Sequence, residues 1–312
     1  MNHHPIPVYT LTLNPTLDRT LTVKEFVFDE MVRATSSQLD PSGKGFNVSR
    51  ALKVLGSESI ALGFLGGFTG QMIEQMLANE GLTLDPVWVN GETRTATMVF
   101  CGERYLKVNE AGPLISPEKL AEMEAKIHHY LAPDQWWVLS GSLPPGAPID
   151  IYAQLTSLLK AGGARVLLAA SGESLRRGLA AQPDLVKPNT VEAADLVGHP
   201  VETEADFQEA ADAFLATGAK IVALSLGADG LLLATANERY RLRPPAVNAL
   251  NPIGAGDGLV GGLLYALVQG MPLERVARWG VANGTGAAMQ AGTTYSSKEV
   301  VTDLVERCVM VK

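Results

Sequence analysis

The sequence has few cysteines and no pattern that would pair them. Its 312 residues include only Cys101 and Cys308, which lie far apart and form no CxxC motif. This scarcity excludes a disulfide framework and gives no indication of a zinc site. We therefore expect a protein of a reducing compartment, which points to the cytoplasm.

Long hydrophobic runs and an export signal are also missing. No stretch of about 18 uninterrupted apolar residues occurs anywhere in the chain. The start, Met1-Asn2-His3-His4-Pro5, lacks a basic segment followed by an apolar one. These absences predict a soluble protein that is not exported and has no membrane partner.

The chain has fewer basic residues than acidic ones. The chain carries 25 Lys and Arg against 33 Asp and Glu, which gives a net charge of -8. An acidic protein is a poor partner for nucleic acid or for an anionic membrane. Any ligand that carries phosphate must therefore be held by local cations and backbone amides.

One well-known nucleotide-binding fingerprint is absent, and a second is not found at the glycine-rich turn after the predicted strand at residues 60–64. The spacing GxxxxGK[ST] does not occur, which excludes a P-loop NTPase. The turn Gly66-Gly67-Phe68-Thr69-Gly70 is no true GxGxxG, which argues against a dinucleotide-dependent oxidoreductase. Lys44 does stand between Gly43 and Gly45, directly before a predicted helix. It is a candidate phosphate contact, although a mobile lysine in a turn explains the pattern equally well.

What the sequence does contain is a long alternation of short apolar segments with helical ones. Hydrophobic residues make up 46% of the chain, enough for a large core. The alternation predicts a mostly parallel sheet covered by helices on both faces, and we expect the helix from Pro272 to about Gln290 to be the last. Two β-like interruptions, at about residues 20–40 and 87–112, predict a small second sheet that serves as a lid or dimer surface. With no repeat and no low-complexity linker, residues 1–312 are predicted to form one domain.

The stretch Asn251 to Gly262 is the strongest candidate for a reactive centre. Gly254, Ala255 and Gly256 precede Asp257 and an apolar helix, so backbone amides and a helix N-terminus converge on one point. Such a point can hold an anion, and Asp257 beside it could take a proton from a hydroxyl. The alternative is that Asp257 is only the N-cap of the helix.

Two further loops follow predicted strands, where ligands of open α/β sheets bind. Asp18 follows the predicted strand at residues 8–13 and could grip a substrate hydroxyl, or it could be a turn residue. Asn189 and Glu192 stand three apart at a helix start after the strand at 184–187. They could face one water or Mg²⁺, but a capping box would give the same pattern.

Six motifs together resemble one known family. In chain order they are Thr12-Leu13-Asn14-Pro15-Thr16-Leu17-Asp18, Gly43-Lys44-Gly45-Phe46-Asn47-Val48-Ser49-Arg50, Ser140-Gly141-Ser142-Leu143-Pro144-Pro145-Gly146, Lys187-Pro188-Asn189, Ser225-Leu226-Gly227 and Gly254-Ala255-Gly256-Asp257. Their order and approximate spacing resemble the phosphofructokinase-B branch of the ribokinase superfamily of ATP-dependent sugar kinases. The resemblance covers nearly the whole chain.

The resemblance implies a fold and a catalytic centre. The fold would be a ribokinase-like three-layer α/β/α arrangement with a mostly parallel central sheet and a small β-sheet lid, and a second subunit would pack against that lid to form a homodimer. Asp257 would be the catalytic base. The backbone at Gly254, Ala255 and Gly256 would stabilise the transferred phosphoryl group.

The resemblance also implies a set of binding residues. The sugar would contact Asp18, Gly43, Lys44 and Asn47; a phosphate on the sugar would contact Arg94 and Ser142, with Arg33 from the partner's lid; and ATP would contact Lys187, Asn189, Ser225, Gly227, Gly230 and Asn283. Glu192, together with Asn189, would organise Mg²⁺ through water. Backbone carbonyls behind the anion hole would form a site for a monovalent cation such as K⁺.

Within the family, Asn14 to Arg19 and Asn109 to Pro113 look most like the 1-phosphofructokinase and tagatose-6-phosphate kinase group. The expected substrate is therefore a ketohexose phosphate: fructose 1-phosphate, fructose 6-phosphate or tagatose 6-phosphate. Two departures from the family pattern stand out, Ser42 in place of a glycine and Ala169 in place of an aspartate. The alternative within enzymes is a kinase of an unphosphorylated sugar or nucleoside. The departure at Ala169 also leaves open a catalytically weak regulatory protein that binds sugar phosphate.

Overall fold

This computed structural model describes residues 8–102 and 104–311 of the chain. These residues contain fifteen strands and ten α-helices. The strands are β1 (Val8–Thr12), β2 (Thr16–Thr22), β3 (Ser36–Ser42), β4 (Ser59–Gly66), β5 (Thr83–Leu84), β6 (Val87–Val89), β7 (Arg94–Cys101), β8 (Arg104–Asn109), β9 (Trp136–Ser140), β10 (Arg165–Ala169), β11 (Leu185–Val186), β12 (Ile221–Ser225), β13 (Leu231–Ala234), β14 (Arg239–Arg243) and β15 (Val309–Met310). The helices are α1 (Lys44–Val54), α2 (Gly67–Asn79), α3 (Pro117–Tyr130), α4 (Ile151–Ala161), α5 (Gly172–Leu179), α6 (Thr190–Val197), α7 (Glu204–Ala216), α8 (Ala255–Val268), α9 (Leu273–Ala288) and α10 (Lys298–Arg307). None of the described helices is both long and apolar enough to cross a membrane.

The main sheet has eleven strands in the order β15-β14-β13-β12-β11-β10-β9-β1-β4-β5, and β6 also pairs with β4. All pairings from β12 through to β5 and β6 are parallel, whereas β13, β14 and β15 join as antiparallel neighbours. This is the mostly parallel sheet that the alternation predicts. Because the parallel strands run in one direction, their carboxyl ends share one edge, and the loops that follow them meet there.

Helices cover both faces of the sheet, which gives three layers. Along β9, Trp137 and Leu139 pack with the helices α3 to α7, whereas Trp136 and Val138 pack with α1, α8, α9 and α10. Successive residues of a strand point to opposite faces, so an uninterrupted apolar run is needed to fill both sides. The α/β/α fold class expected from the resemblance is confirmed.

A second, smaller sheet has the strand order β3-β2-β7-β8. It begins at Thr16, only a few residues after β1 ends, and β3 leads directly into α1. Val87–Val89 lies outside this sheet, because Val87 pairs with Phe64 at the edge of the main sheet. The second sheet therefore carries Asp18 and Ser42 to the carboxyl edge of β1.

The prediction that the helix ending near Gln290 is the last one is wrong. A further helix, α10, buries Val301, Leu304 and Val305 against the core, and β15 then pairs with β14. Spacings of three and four residues place these apolar side chains on one helical face. With ten residues, this helix is shorter than α8 and α9, which have 14 and 16.

Candidate active site

The first turns of α1 and α8 meet at the carboxyl edge of the sheet. Asn47 lies in the first turn of α1 and Asp257 in the first turn of α8. The Nδ2 atom of Asn47 donates a hydrogen bond to Oδ2 of Asp257 at 2.9 Å, although the two residues are 210 positions apart in the chain. The structure thus joins a predicted sugar-binding residue to the predicted base.

The N-terminus of α8 leaves backbone amides available. Gly254 is the N-cap, with the left-handed φ of 82° that favours glycine, and Asp257 is the third helical residue, not the cap. The amide of Ala255 donates to Pro252 O at 3.3 Å. Within the described chain, the amides of Gly256 and Asp257 have no acceptor. A Cβ added to Gly256 would meet nothing within 4 Å, so open space adjoins these amides.

The electrostatic surroundings make Asp257 a stronger proton acceptor than an ordinary aspartate. Burial raises the pKa of its carboxyl group, and the nearby charge of Asp18 raises it further. The hydrogen bond from Asn47 and the charges of Lys44 and Lys187 lower that pKa but do not cancel the effect of burial. A carboxylate with a raised pKa next to unpaired amides suits general base catalysis.

The residues expected to bind the sugar surround the junction of β2, β3 and α1. Asp18 pairs with Asp40 across β2 and β3, and both are buried. Burial raises the pKa of Asp18, while hydrogen bonding with Ser42 lowers it. Gly43, the N-cap of α1, has a φ of 134°, and a Cβ there would lie 2.5 Å from Cγ2 of Thr12. The serine that replaces a glycine at position 42 accepts a hydrogen bond from Asn47 at 3.4 Å.

The two residues expected to contact a sugar phosphate are brought together by Asn14. Arg94 donates to Pro15 O at 3.3 Å and to Asn14 O at 3.2 Å, and the side chain of Asn14 donates to Ser142 Oγ at 3.2 Å. Burial lowers the pKa of Arg94, and the charge of Asp18 opposes this effect. Arg33 lies in the exposed connection between β2 and β3, and no hydrogen bond within the described residues links it to this group.

On the opposite side, Lys187 directly follows β11 and is buried. Burial lowers the pKa of its ammonium group, and the charge of Glu192 raises it. Asn189 and Glu192 form a capping box on α6: Glu192 N donates to Asn189 Oδ1 at 2.8 Å, and Asn189 N donates to Glu192 Oε2 at 2.9 Å. The capping interpretation is therefore confirmed, and Oε1 of Glu192 is not used by that box.

The turn after β12 adjoins this corner, because Asn189 forms a β-bridge with Ser225. Gly227 and Gly230 have positive φ values of 59° and 96°, and a Cβ on Gly230 would lie 2.1 Å from Leu242 O. Glycine is required at that position. Asn283 lies apart from the other residues expected to contact ATP. It is fully buried between α8 and α9, where its Nδ2 atom donates a hydrogen bond to Gly258 O at 2.7 Å.

Three residues near the site carry no role in the sequence analysis. Asn14 bridges Arg94 and Ser142. The hydroxyl group of Tyr295 is buried near Gly254 and has no hydrogen-bond partner in the described chain. The guanidinium group of Arg50 lies 5.8 Å from the centre of the Tyr295 ring. Burial and the charge of Asp257 raise the pKa of Tyr295 well above its ordinary value. Asn14 and Arg50 are in quoted motifs, whereas Tyr295 follows the last predicted helix and had no such signal.

Arg50 supports the end of β3. Its guanidinium donates to both carboxylate oxygens of Glu80, at 2.7 and 2.8 Å, and to Pro41 O at 3.2 Å. The positive charge of Arg50 is almost completely buried, so the ion pair with Glu80 is needed to compensate for its lost hydration.

Ala169 is the second departure from the family pattern. Its methyl group lies in the core, and its backbone oxygen accepts a hydrogen bond from Gly141 N at 3.2 Å.

Comparison with known proteins matches the chain to one family. Residues 6–300 match the model of the pfkB family carbohydrate kinases. The chain is 33% identical over 284 residues to a 1-phosphofructokinase of Borreliella burgdorferi, covering 91% of this chain and 92% of that protein. It is 30% identical to Escherichia coli phosphofructokinase-2, covering 97% of this chain and 99% of that one, with TM-scores of 0.90 for the structure in complex with fructose-6-phosphate and 0.91 for the structure in complex with potassium.

Proposed function

Because the chain belongs to the pfkB family of carbohydrate kinases, we propose that it transfers a phosphoryl group from ATP to a hydroxyl of a ketohexose phosphate. The observation that carries this proposal is the position of Asp257. Its carboxylate lies beside the unpaired amides at the start of α8, with the sugar-side loops on one side and the Lys187 loop on the other. Phosphoryl transfer needs this combination of a base, an anion hole and two binding sites.

In the proposed reaction, Asp257 accepts the proton of the attacking hydroxyl. The hydroxyl oxygen forms a bond to the γ-phosphorus of ATP as the bond from that phosphorus to the bridging oxygen breaks, which yields ADP and a ketohexose bisphosphate. The amides of Gly256 and Asp257 stabilise the charge on the transferred group. Lys44 and Lys187 add positive charge near Asp257, as their effect on its pKa indicates.

We assign the acceptor to the corner formed by β2, β3 and β7. Asp18 and Asn47 hold its hydroxyls next to Asp257, together with the backbone at Gly43. Arg94 and Ser142 hold its existing phosphate, since a guanidinium is suited to bind a phosphate through several hydrogen bonds. The names of the relatives, 1-phosphofructokinase and phosphofructokinase-2, support an acceptor that already carries one phosphate.

We assign ATP to the loops after β11 and β12, with contacts from Lys187, Asn189 and the turn from Ser225 to Gly230. Mg²⁺ fits here, because it is usually held by one or two carboxylates together with substrate phosphates and water, and Oε1 of Glu192 is not used in the capping box. When bound, Mg²⁺ neutralises charge on the phosphates. Asn283 would act only indirectly, by fixing α8 against α9.

A monovalent cation such as K⁺ is proposed to bind behind the anion hole. The segment before Gly254 is held against the loop after α9: Asn251 Nδ2 donates to Gly292 O at 2.9 Å, and the amides of Leu250 and Asn251 donate to Ala288 O. Backbone oxygens at the end of α9 and in the loop that follows it therefore lie next to the segment that leads to the N-terminus of α8. The potassium complex of the E. coli neighbour supports this assignment.

We further propose that residues 1–312 act as one kinase domain, that the second sheet closes over the sugar, and that this sheet joins two copies into a homodimer. Its connections and outer strand expose large apolar side chains, with Phe28 87% and Met31 79% exposed, and Tyr105, Leu106 and Val108 also exposed on β8. A second copy would cover such side chains. Both cysteines are free thiols, which agrees with our proposal of a cytoplasmic enzyme.

A substrate panel tests the proposed reaction. With ATP and Mg²⁺, we expect ADP release with at least one of fructose 1-phosphate, fructose 6-phosphate and tagatose 6-phosphate. Free fructose, free tagatose, ribose and adenosine should give at least about tenfold lower kcat/KM, because they leave the Arg94 corner without its phosphate. Turnover of the free sugars or of adenosine alone would overturn the assignment of the acceptor, and no turnover at all would overturn the proposed reaction.

A second prediction concerns Glu192. Glu192→Gln keeps a side chain that can complete the capping box but removes the negative charge. We therefore expect an unchanged melting temperature and a several-fold higher Mg²⁺ concentration for half-maximal activity. Asp206→Asn is the matched control, since Asp206 holds the same position in the capping box of α7, away from the site. Equal Mg²⁺ dependence of the two variants would contradict the role given to Glu192.

A further inference from the structure

Asn14 occupies the point where the main sheet passes into the second sheet, within residues 13–15 between β1 and β2. Its Nδ2 atom donates to Ser142 Oγ at 3.2 Å and to Leu143 O at 3.3 Å. Its backbone oxygen accepts from Nη2 of Arg94 at 3.2 Å. One residue therefore contacts both groups that are assigned to the acceptor's phosphate.

The contact with Ser142 determines the direction in which its hydroxyl donates. A serine oxygen that accepts a hydrogen bond still has its own O–H, which it directs to another acceptor. Because an amide N–H of Asn14 occupies one lone pair of Ser142 Oγ, the exposed hydroxyl is left as a donor. Arg94 likewise uses Nε and Nη2 on backbone oxygens, and its Nη1 has no acceptor within the described residues. Both groups thus present donors, which is what a phosphate requires.

Gly112 fixes the carboxamide of Asn14 from the other side. A Cβ added at Gly112 would lie only 2.3 Å from Oδ1 of Asn14. Oδ1 itself is buried and has no hydrogen-bond partner in the described part of the chain. The segment that contains Gly112 is in turn tied to β7, because Glu110 Oε2 accepts from Thr95 N at 2.8 Å, one residue beyond Arg94.

We propose that Asn14, held in place by Gly112, is a positioning residue that makes this corner selective for a phosphorylated acceptor. It sets the spacing between Arg94 and Ser142 and keeps the Ser142 hydroxyl as a donor. The inference rests on the proposed function and deepens it, because it names the residue on which discrimination between a sugar phosphate and a free sugar depends.

Asn14→Asp tests this role with almost no change in shape. The carboxylate no longer donates to Ser142; it accepts the Ser142 O–H instead and places a negative charge beside the phosphate. We expect the KM for the preferred ketohexose phosphate to rise at least about tenfold. The KM for ATP should stay within about twofold of wild type, and kcat within about threefold. Gly112→Ala should shift the sugar-phosphate KM in the same direction, because its methyl group displaces the carboxamide.

Asn90→Ala serves as the matched control, since Asn90 is exposed and its side chain makes no hydrogen bond within the described residues. Melting temperatures show whether Asn14→Asp and Gly112→Ala fold. If one of them does not fold, the sugar-phosphate KM of the other tests the inference. A wild-type sugar-phosphate KM in both variants, or an equal rise in the KM for ATP, would overturn the inference while leaving the proposed function intact. A wild-type enzyme that phosphorylates no ketohexose phosphate would overturn the proposed function itself.

Discussion

Replacing Asp257 by asparagine should lower kcat by about 10²–10⁴-fold and leave the protein folded. Asparagine has nearly the same shape and keeps an oxygen that can accept the hydrogen bond from Asn47, but it cannot take a proton from the substrate. Burial raises the pKa of Asp257, so its ionised form opposes folding at neutral pH. The neutral amide removes that cost, and we therefore expect the melting temperature to stay the same or to rise.

The pH dependence of kcat/KM provides a second readout of the same variant. Asp257 must be ionised to act as a base, so kcat/KM should fall as the pH drops through its pKa. Because that pKa is raised by burial, the fall should lie at a higher pH than an ordinary aspartate would give. The residual activity of Asp257→Asn should lack this limb.

Asp212→Asn is a suitable control, since Asp212 is exposed on α7 and pairs with Arg239, away from the site. It should retain wild-type kcat and the wild-type pH profile. A kcat of Asp257→Asn within about threefold of wild type would remove Asp257 from the mechanism, because loss of a general base typically costs far more.

Arg94→Ala should raise the KM for the sugar phosphate by about 10–100-fold. A hydrogen bond to a charged group contributes about 1.5–3 kcal/mol, and each 1.4 kcal/mol corresponds to about tenfold in affinity. The KM for ATP should change little, because Arg94 lies among the sugar-side loops, next to Pro15 and Asn14. Steady-state kinetics with each substrate varied separately give both constants.

Arg94→Lys and Arg307→Ala complete this experiment. Lysine keeps the charge but lacks the planar fork of donors with which arginine contacts Pro15 O and Asn14 O, so only partial recovery is expected. Arg307 is an exposed arginine that pairs with Asp303 on α10, and its removal should leave both KM values unchanged. An equal rise in both KM values for Arg94→Ala would show that Arg94 does not bind the sugar's phosphate.

The sequence by itself determined the layers of the fold and the order of the loops. Apolar runs such as Trp136 to Leu139 must be buried on both sides, which requires helices on both faces of the sheet. Ser116 and Pro117 mark the start of α3, and the structure has the Ser116 cap and the proline at the first turn. These signals are local: they depend on the period of apolar residues and on the chemistry of helix ends.

Only the tertiary structure decided which of these loops meet. The hydrogen bond between Asn47 and Asp257 joins the N-termini of two helices whose packing no local pattern specifies. Val87–Val89 has the composition of a strand, but its partner, β4 of the main sheet, depends on where the chain returns. Asn14 acquires its contacts with Arg94, Gly112 and Ser142 only when four distant segments fold together. Contacts of this kind are set by long-range packing, and a single sequence records the residues but not the distances between them.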